Sequence, residues 1–171
     1  YQLAAGLQKF SAYEFPVQST EQTRASFRFT GKQIGGEMGD AMQRFADNPN
    51  DAKAIAIISA DPEYVGTLRT TCVATMLSGG HAENALPQLA SANINCRIFP
   101  GVSVDSVREK IAKIIADPHA KVTQSGVAFA SDASPMRDDV MMAVRKAVDA
   151  NFAGLPVIPS MSSGATDSLY F

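Results

Sequence analysis

Two histidines, two cysteines and one Asn/Arg pair carry most of the side-chain chemistry this chain could offer. His81 and His119 would each need companion ligands to hold zinc. His81-Ala82-Glu83 lacks the paired cysteines that complete such a tripeptide in a zinc deaminase. Both histidines read as loop residues. Cys72 and Cys96 are too few for a disulfide scaffold and too widely spaced for a zinc knuckle. Lying in strand-like runs, they read as packed small hydrophobes, with a single bridge between them left open. Thr30-Gly31-Lys32 has the Gly-Lys of a phosphate loop, but Ser26 replaces its first glycine and Gln33 its hydroxyl residue. Ser162 and Ser163 lack the G-x-S-x-G frame of a nucleophile elbow. The sequence thus shows no complete catalytic set and no metal site.

What remains is Asn84, inside Gly79-Gly80-His81-Ala82-Glu83-Asn84-Ala85-Leu86-Pro87, and Arg97 on the strand that follows. An Asn amide donates two hydrogen bonds, and a guanidinium fork matches a carboxylate bidentately. A sheet face bearing Asn93, Asn95 and Arg97 meets something polar, and an anion fits it. The plainer alternatives are a surface ion pair for Arg97 and a turn role for Asn84.

The elements that position these residues follow from hydrophobic spacing. Leu3, Leu7 and Phe10 predict an amphipathic helix ended by Pro16. Ser19 or Thr20 can cap a second helical stretch, from which Phe27 and Phe29 reach a core. Gly31, Gly35, Gly36 and Gly39 weaken its middle by about 1 kcal/mol each relative to Ala. Residues 19–60 therefore read as a loosely organised insertion with a short helix at Met38–Phe45. Ala52–Ser59 is a helix or a buried strand. Thr67–Leu77 alternates as a strand, with Cys72, Ala74 and Met76 opposite Thr71, Val73 and Leu77. Ala92–Phe99 alternates more cleanly, with Ile94, Cys96 and Ile98 on the core face and Asn93, Asn95 and Arg97 on the wet one. Ser103 caps a helix striped with Val104, Val107, Ile111 and Ile114 or Ile115, which Asp117-Pro118 ends. Lys121–Ala130 reads as a further strand. Ser134-Pro135 opens a helix through Val140, Val144 and Val148, and Leu155–Pro159 is a short apolar strand. The order helix, strand, strand, helix, strand is what a βαββαβ ferredoxin-like unit leaves when its first strand lies upstream of Tyr1.

Composition narrows the partners. The chain has 171 residues, 46% of them hydrophobic and 19% charged, with a formal charge of −2, so it can bury a core. Without a Lys/Arg stripe it has no footprint for nucleic acid, and no apolar run approaches the roughly 18–20 residues of a membrane span. Beginning at Tyr1 with no leader, it reads as a fragment. Its compartment stays open.

The run GGHAENALPQLASANINCRIFPG followed by SVDSVREKIAKII resembles the dimerisation or lid domain of one zinc metallopeptidase family. That family contains glutamate carboxypeptidase, aminoacylase, carnosinase and succinyl-diaminopimelate desuccinylase. The helix at Tyr1–Phe10 and the tail PSMSSGATDSLYF are similar on either side, and Ser19–Ala60 matches as a variable insertion. The resemblance implies an α+β fold: a ferredoxin-like two-layer sandwich, its antiparallel sheet carrying two helices on one face, followed by a helix-strand stub of an α/β catalytic domain. It implies a lid over residues 1–130 and a catalytic-domain segment over 131–171. By the same resemblance, Asn84 and Arg97 reach across a homodimer to hold the substrate's carboxylate or polarise its scissile carbonyl. The Gly164, Ala165, Thr166 loop borders the substrate. The family's two Zn²⁺ ligand sets and its general-base glutamate have no counterpart here, so the chain holds no metal, supplies no catalytic residue and is inert alone. The implied parent hydrolyses a peptide or N-acyl amino acid bearing a free carboxylate. The competing readings are a stand-alone ferredoxin-like regulatory module binding a small anion, and a purely structural dimerisation element.

Overall fold

A computed structural model describes residues 1–128, 130–162 and 164. In chain order its helices and strands are α1 (Gln2–Ser11), α2 (Glu21–Ile34), α3 (Gly36–Asp47), α4 (Ala52–Ser59), β1 (Thr71–Gly79), β2 (Ala90–Arg97), α5 (Val104–Ile115) and α6 (Asp138–Asn151). The class is α+β. The described residues fall into two compact units.

One unit holds, of the described residues, 17–68 and 132–164. Thr20 starts α2 through a reciprocal cap, in which its hydroxyl accepts from the Thr23 N–H (3.2 Å) and the Thr23 hydroxyl accepts from the Thr20 N–H (2.8 Å). The four glycines do not loosen this region, as their low helix propensity suggests, but shape it. Gly35 and Gly36, at φ 61° and 63°, turn the chain between two well-formed helices. Gly31 and Gly39 let those helices touch, since a Cβ on Gly31 would meet the Gly39 carbonyl oxygen at 2.6 Å. The short helix expected at Met38–Phe45 is thus the middle of the longer α3. Phe27 packs edge-to-face on Phe45 (ring centroids 5.4 Å apart). Met42, Ala54, Ile58 and Leu68 fill the core around them, whereas Phe29 stays largely outside. Ala52–Ser59 proves helical because Asp51 caps it, accepting from the Ala54 N–H at 2.9 Å. In this unit α6 buries none of its side chains. It begins after Ser134-Pro135, whose Ser134 carbonyl instead accepts from the Gln22 amide. The strand expected at Leu155–Pro159 is not formed.

The other unit holds residues 1–16 and 69–131. Here β1 and β2 form an antiparallel pair, and α1 and α5 supply the apolar side chains that cover one of its faces. Phe10 of α1 and Val107 and Ile111 of α5 meet Phe15, Cys72, Ile94, Cys96 and Ile98. A Cβ on Gly6 would meet Ile115 at 3.1 Å, so α1 and α5 lie close there. The Lys9 ammonium donates to the Ile115 carbonyl (2.9 Å), a cation at a helix C-terminus. Ser103 caps α5 as expected, its hydroxyl accepting from the Ser106 N–H at 3.1 Å.

At the base of the hairpin the buried Arg69 pairs with Glu14, and the buried Thr70 hydroxyl accepts from the Phe99 N–H (2.9 Å). β1 starts at Thr71 rather than Thr67 because Val65–Thr67 form a 3₁₀ turn, closed by the Thr67 hydroxyl on the Tyr64 carbonyl (2.6 Å). Lys121–Ala128 does not join the ladder, although Val122 packs on the core. A strand needs a hydrogen-bonding partner, and β1 and β2 pair only with each other among the described residues. The described residues therefore form two strands of the four that a ferredoxin-like sheet requires.

Gly31→Ala should destabilise the protein by about 1–2 kcal/mol despite Ala's better helix propensity, because the added carbon strikes backbone rather than a flexible side chain. Urea unfolding would show this. The Ala54 N–H, aided by Arg44 and opposed by partial desolvation, holds the Asp51 carboxyl below its usual range. Its contribution is complete above the ordinary carboxylate pKa and fades as pH falls through the lowered value. Asp51→Asn keeps an acceptor for that N–H and should flatten the acid limb of a stability curve measured between about pH 5 and pH 2.

Candidate functional site

The register of the hairpin decides which side chains meet water. Thr71 pairs with Arg97, Cys72 with Cys96, Val73 with Asn95 and Ala74 with Ile94. Successive residues point to opposite faces, so Cys72, Ala74, Ile94 and Cys96 face the helices while Val73, Asn95 and Arg97 face away. Between Ala74 and Met76 the register slips, and Met76 pairs with Asn93. Thr75 is the extra residue of a β-bulge. Its hydroxyl accepts from the Asn93 amide at 2.8 Å, tying the bulge to β2.

The strict alternation read from Thr67–Leu77 would have set Met76 with Cys72 and Leu77 with Val73. The bulge exchanges them: Met76 joins Val73 on the uncovered face, and Leu77 falls on the other. A bulge depends on what both strands can pair with, so one strand's alternation does not reveal it.

Cys72 and Cys96 are joined by a disulfide, their Cα atoms 4.1 Å apart. The reading as two packed thiols is therefore corrected. Both cysteines fall on the core parity of their strands, and pairing β1 with β2 sets them directly opposite, within bonding reach of each other. The sequence held the parity but not the register.

Arg97 sits next to that bridge, exposed, and makes no ion pair or side-chain hydrogen bond among the described residues. Asn95 is likewise exposed and unengaged. The surface ion pair that would make Arg97 ordinary is not formed among the described residues. Asn84 lies in the exposed loop joining Gly79 to Ala90, at the opposite end of the hairpin. Seven strand steps separate Ala90 from Arg97, roughly 23 Å at about 3.3 Å per residue. The loop's anchor and the guanidinium thus serve different ends of the face. Gly164 belongs to the other unit, where its N–H donates to the Ser162 hydroxyl (3.1 Å). Ala165 and Thr166 lie outside the described residues.

His81 is exposed in the same loop, and the His119 N–H donates to Asp117 (2.8 Å) within a turn. Among the described residues no three His, Cys, Asp or Glu side chains converge as metal ligands, and no helix is long and apolar enough to cross a membrane. With no donor set present, no metal-dependent step is assigned to these residues.

The peptidase dimerisation domain model matches residues 21–123, more than half of the chain. The chain belongs to that family. It is 27% identical over 119 residues to the N-fatty-acyl-amino acid synthase/hydrolase PM20D1 of Xenopus tropicalis, an alignment covering 67% of this chain and 23% of that protein. The human protein of the same name is 31% identical over 107 residues, covering 61% of this chain and 21% of that protein. A probable carboxypeptidase S-like 2 of Dictyostelium discoideum is 23% identical over 116 residues, covering 67% of this chain and 22% of that protein. The chain thus spans less than a quarter of these relatives' length. No solved structure matches it. The comparisons do not favour a stand-alone anion-sensing module.

Removing the bridge with Cys72→Ser and Cys96→Ser should lower the domain's unfolding free energy by about 2–4 kcal/mol, as should a thiol reductant acting on the wild type. Equal denaturation midpoints with and without reductant would contradict this.

Proposed function

We propose that this chain is the pairing and substrate-gripping part of a hydrolase that cleaves a peptide or N-acyl amino acid next to a free carboxylate. In this reading residues 1–130 form the lid and residues from 131 on return to a catalytic domain. Two copies associate through the lid, and each presents Arg97 and Asn84 to its partner's active site. Two Zn²⁺ ions in the parent would supply an activated water, and ligands outside the described residues would hold them. The chain by itself is inert. The observation that carries the reading is Arg97: a solvated guanidinium with no counter-charge among the described residues, on the uncovered face of a hairpin whose other face packs against two helices.

The chemistry follows from that placement. Arg97 offers two parallel N–H donors to a carboxylate. Held by a covalently tied strand, it needs little reorganisation to do so. Asn84, at the far end of the hairpin, can donate to a carbonyl but is anchored too far away to share one carboxylate with Arg97 from the same protomer. The two therefore grip different parts of a substrate, or serve opposite ends of a closing cleft. Water exclusion as a lid closes strengthens both contacts.

Arg97→Ala in the full-length dimeric enzyme should lower kcat/KM by about 30- to 1,000-fold, equivalent to about 2–4 kcal/mol of lost transition-state stabilisation. Steady-state kinetics on a substrate with a free carboxylate, compared with its methyl ester, would test this. Unchanged turnover in the variant would sink the role given to Arg97.

A further inference from the structure

The disulfide governs the outward side of the ladder as well as the inward one. Cys72 and Cys96 form a rung between that of Thr71 with Arg97 and that of Val73 with Asn95. The four side chains on those flanking rungs all point away from the helices. Arg97 and Asn95 are exposed and Thr71 is half-buried, and none of the three engages its side chain in a hydrogen bond or ion pair among the described residues. Asn93, two residues from Asn95 along β2, differs, because its amide is engaged with Thr75. Directly opposite side chains start about 5 Å apart at Cβ, and residues two apart on one strand lie about 7 Å apart. A guanidinium, an amide and a hydroxyl thus border one small area, with the apolar Val73 at its fourth corner.

We propose that Asn95 and Thr71 complete the carboxylate site begun by Arg97 and make it select a free acid over a neutral end-group, an inference that rests on the carboxylate-gripping role given to Arg97 above. A carboxylate has about four lone-pair positions, of which a guanidinium fork takes two. The Asn95 amide and the Thr71 hydroxyl supply donors for the others, one from along the strand and one from across the ladder. An ester or primary amide presents fewer acceptors and no charge, so it leaves these donors partly unmatched. The residue type at position 95 matters for the same reason. A carboxylate there would give Arg97 an internal counter-charge and repel the ligand's, whereas the asparagine amide donates without either effect. The bridge contributes pre-organisation. It fixes the rung between the two that carry the donors, so they stand in register before a ligand arrives and lose little freedom when it binds.

The test is discrimination by the full-length enzyme between an N-acetyl amino acid and its C-terminal primary amide, read as the acid-to-amide ratio of kcat/KM. Asn95→Ala should lower that ratio by about tenfold and Thr71→Val by about three- to tenfold, both mainly through KM for the acid. Thr71→Ser, which restores a hydroxyl, should recover the ratio. Asn95→Asp should lower it by about 100-fold or more, because the new carboxylate pairs with Arg97 and repels the acid while accepting from the NH2 group of the amide substrate. A purely structural role for Asn95 and Thr71 would instead depress both substrates together and lower the melting temperature, and that result would overturn the inference. If Arg97→Ala lowers the ratio but Asn95→Ala and Thr71→Val keep the wild-type value, the part given to Asn95 and Thr71 is wrong and the carboxylate role of Arg97 stands. If Arg97→Ala leaves the ratio unchanged, that role is wrong and the inference built on it falls too.

Discussion

An isolated two-stranded hairpin is at best marginally stable in water, so everything presented by β1 and β2 depends on what holds them together. Two constraints do so. Apolar side chains of α1 and α5 cover one face, and the Cys72–Cys96 bond fixes the pairing on that face one step from the base of the ladder. Slipping one strand by a residue would carry every side chain beyond the slip to the wrong side. The covalent tie forbids such a slip near Arg97, and the Thr75–Asn93 hydrogen bond marks where the permitted one occurs. Below the tie, Thr70 and Phe99 close the hairpin base with a buried hydrogen bond, beside the Arg69–Glu14 pair. Arg97 thus owes its exposure to contacts made on the opposite side of its own strand.

The unit built from α2, α3 and α4 works by a different rule. Its helices are amphipathic, but their approach is set by what is missing. Gly31 and Gly39 remove the side chains that would hold the axes apart, and Gly35 and Gly36 take the backbone angles of the corner. That closeness lets Phe27 and Phe45 meet and the small alanines of α3 and α4 fill the remaining space. A propensity scale counts the same glycines only as a cost, because it measures a helix alone in water.

Legibility in the sequence divided along the same line between local and paired information. The cap at Ser103, the stripe of α5, the helix at residues 2–11 and the wet parity of Asn93, Asn95 and Arg97 all follow from spacing within one segment. Whatever required a second segment was hidden: the disulfide, the bulge, and the failure of Lys121–Ala128 to find a ladder. The family resemblance supplied what spacing could not, since nothing in the residues around Asn84 and Arg97 names a hydrolase. The exposed pair of Val73 and Met76 was invisible for the same reason as the bulge, because Met76 seemed to share a face with Cys72.

The bulge has an evolutionary corollary. Which residues of β1 look outward beyond Ala74 is governed by the partner each meets on β2, because the bulge takes up the one residue by which β1 is the longer strand. Loss of the single codon for Thr75 would return a regular ladder with Met76 still opposite Asn93 and Leu77 opposite Ala92, so the same side chains would look outward and only the local bend and twist would change. Members of a lineage built on such a hairpin could thus gain or shed that residue without re-addressing what the face displays.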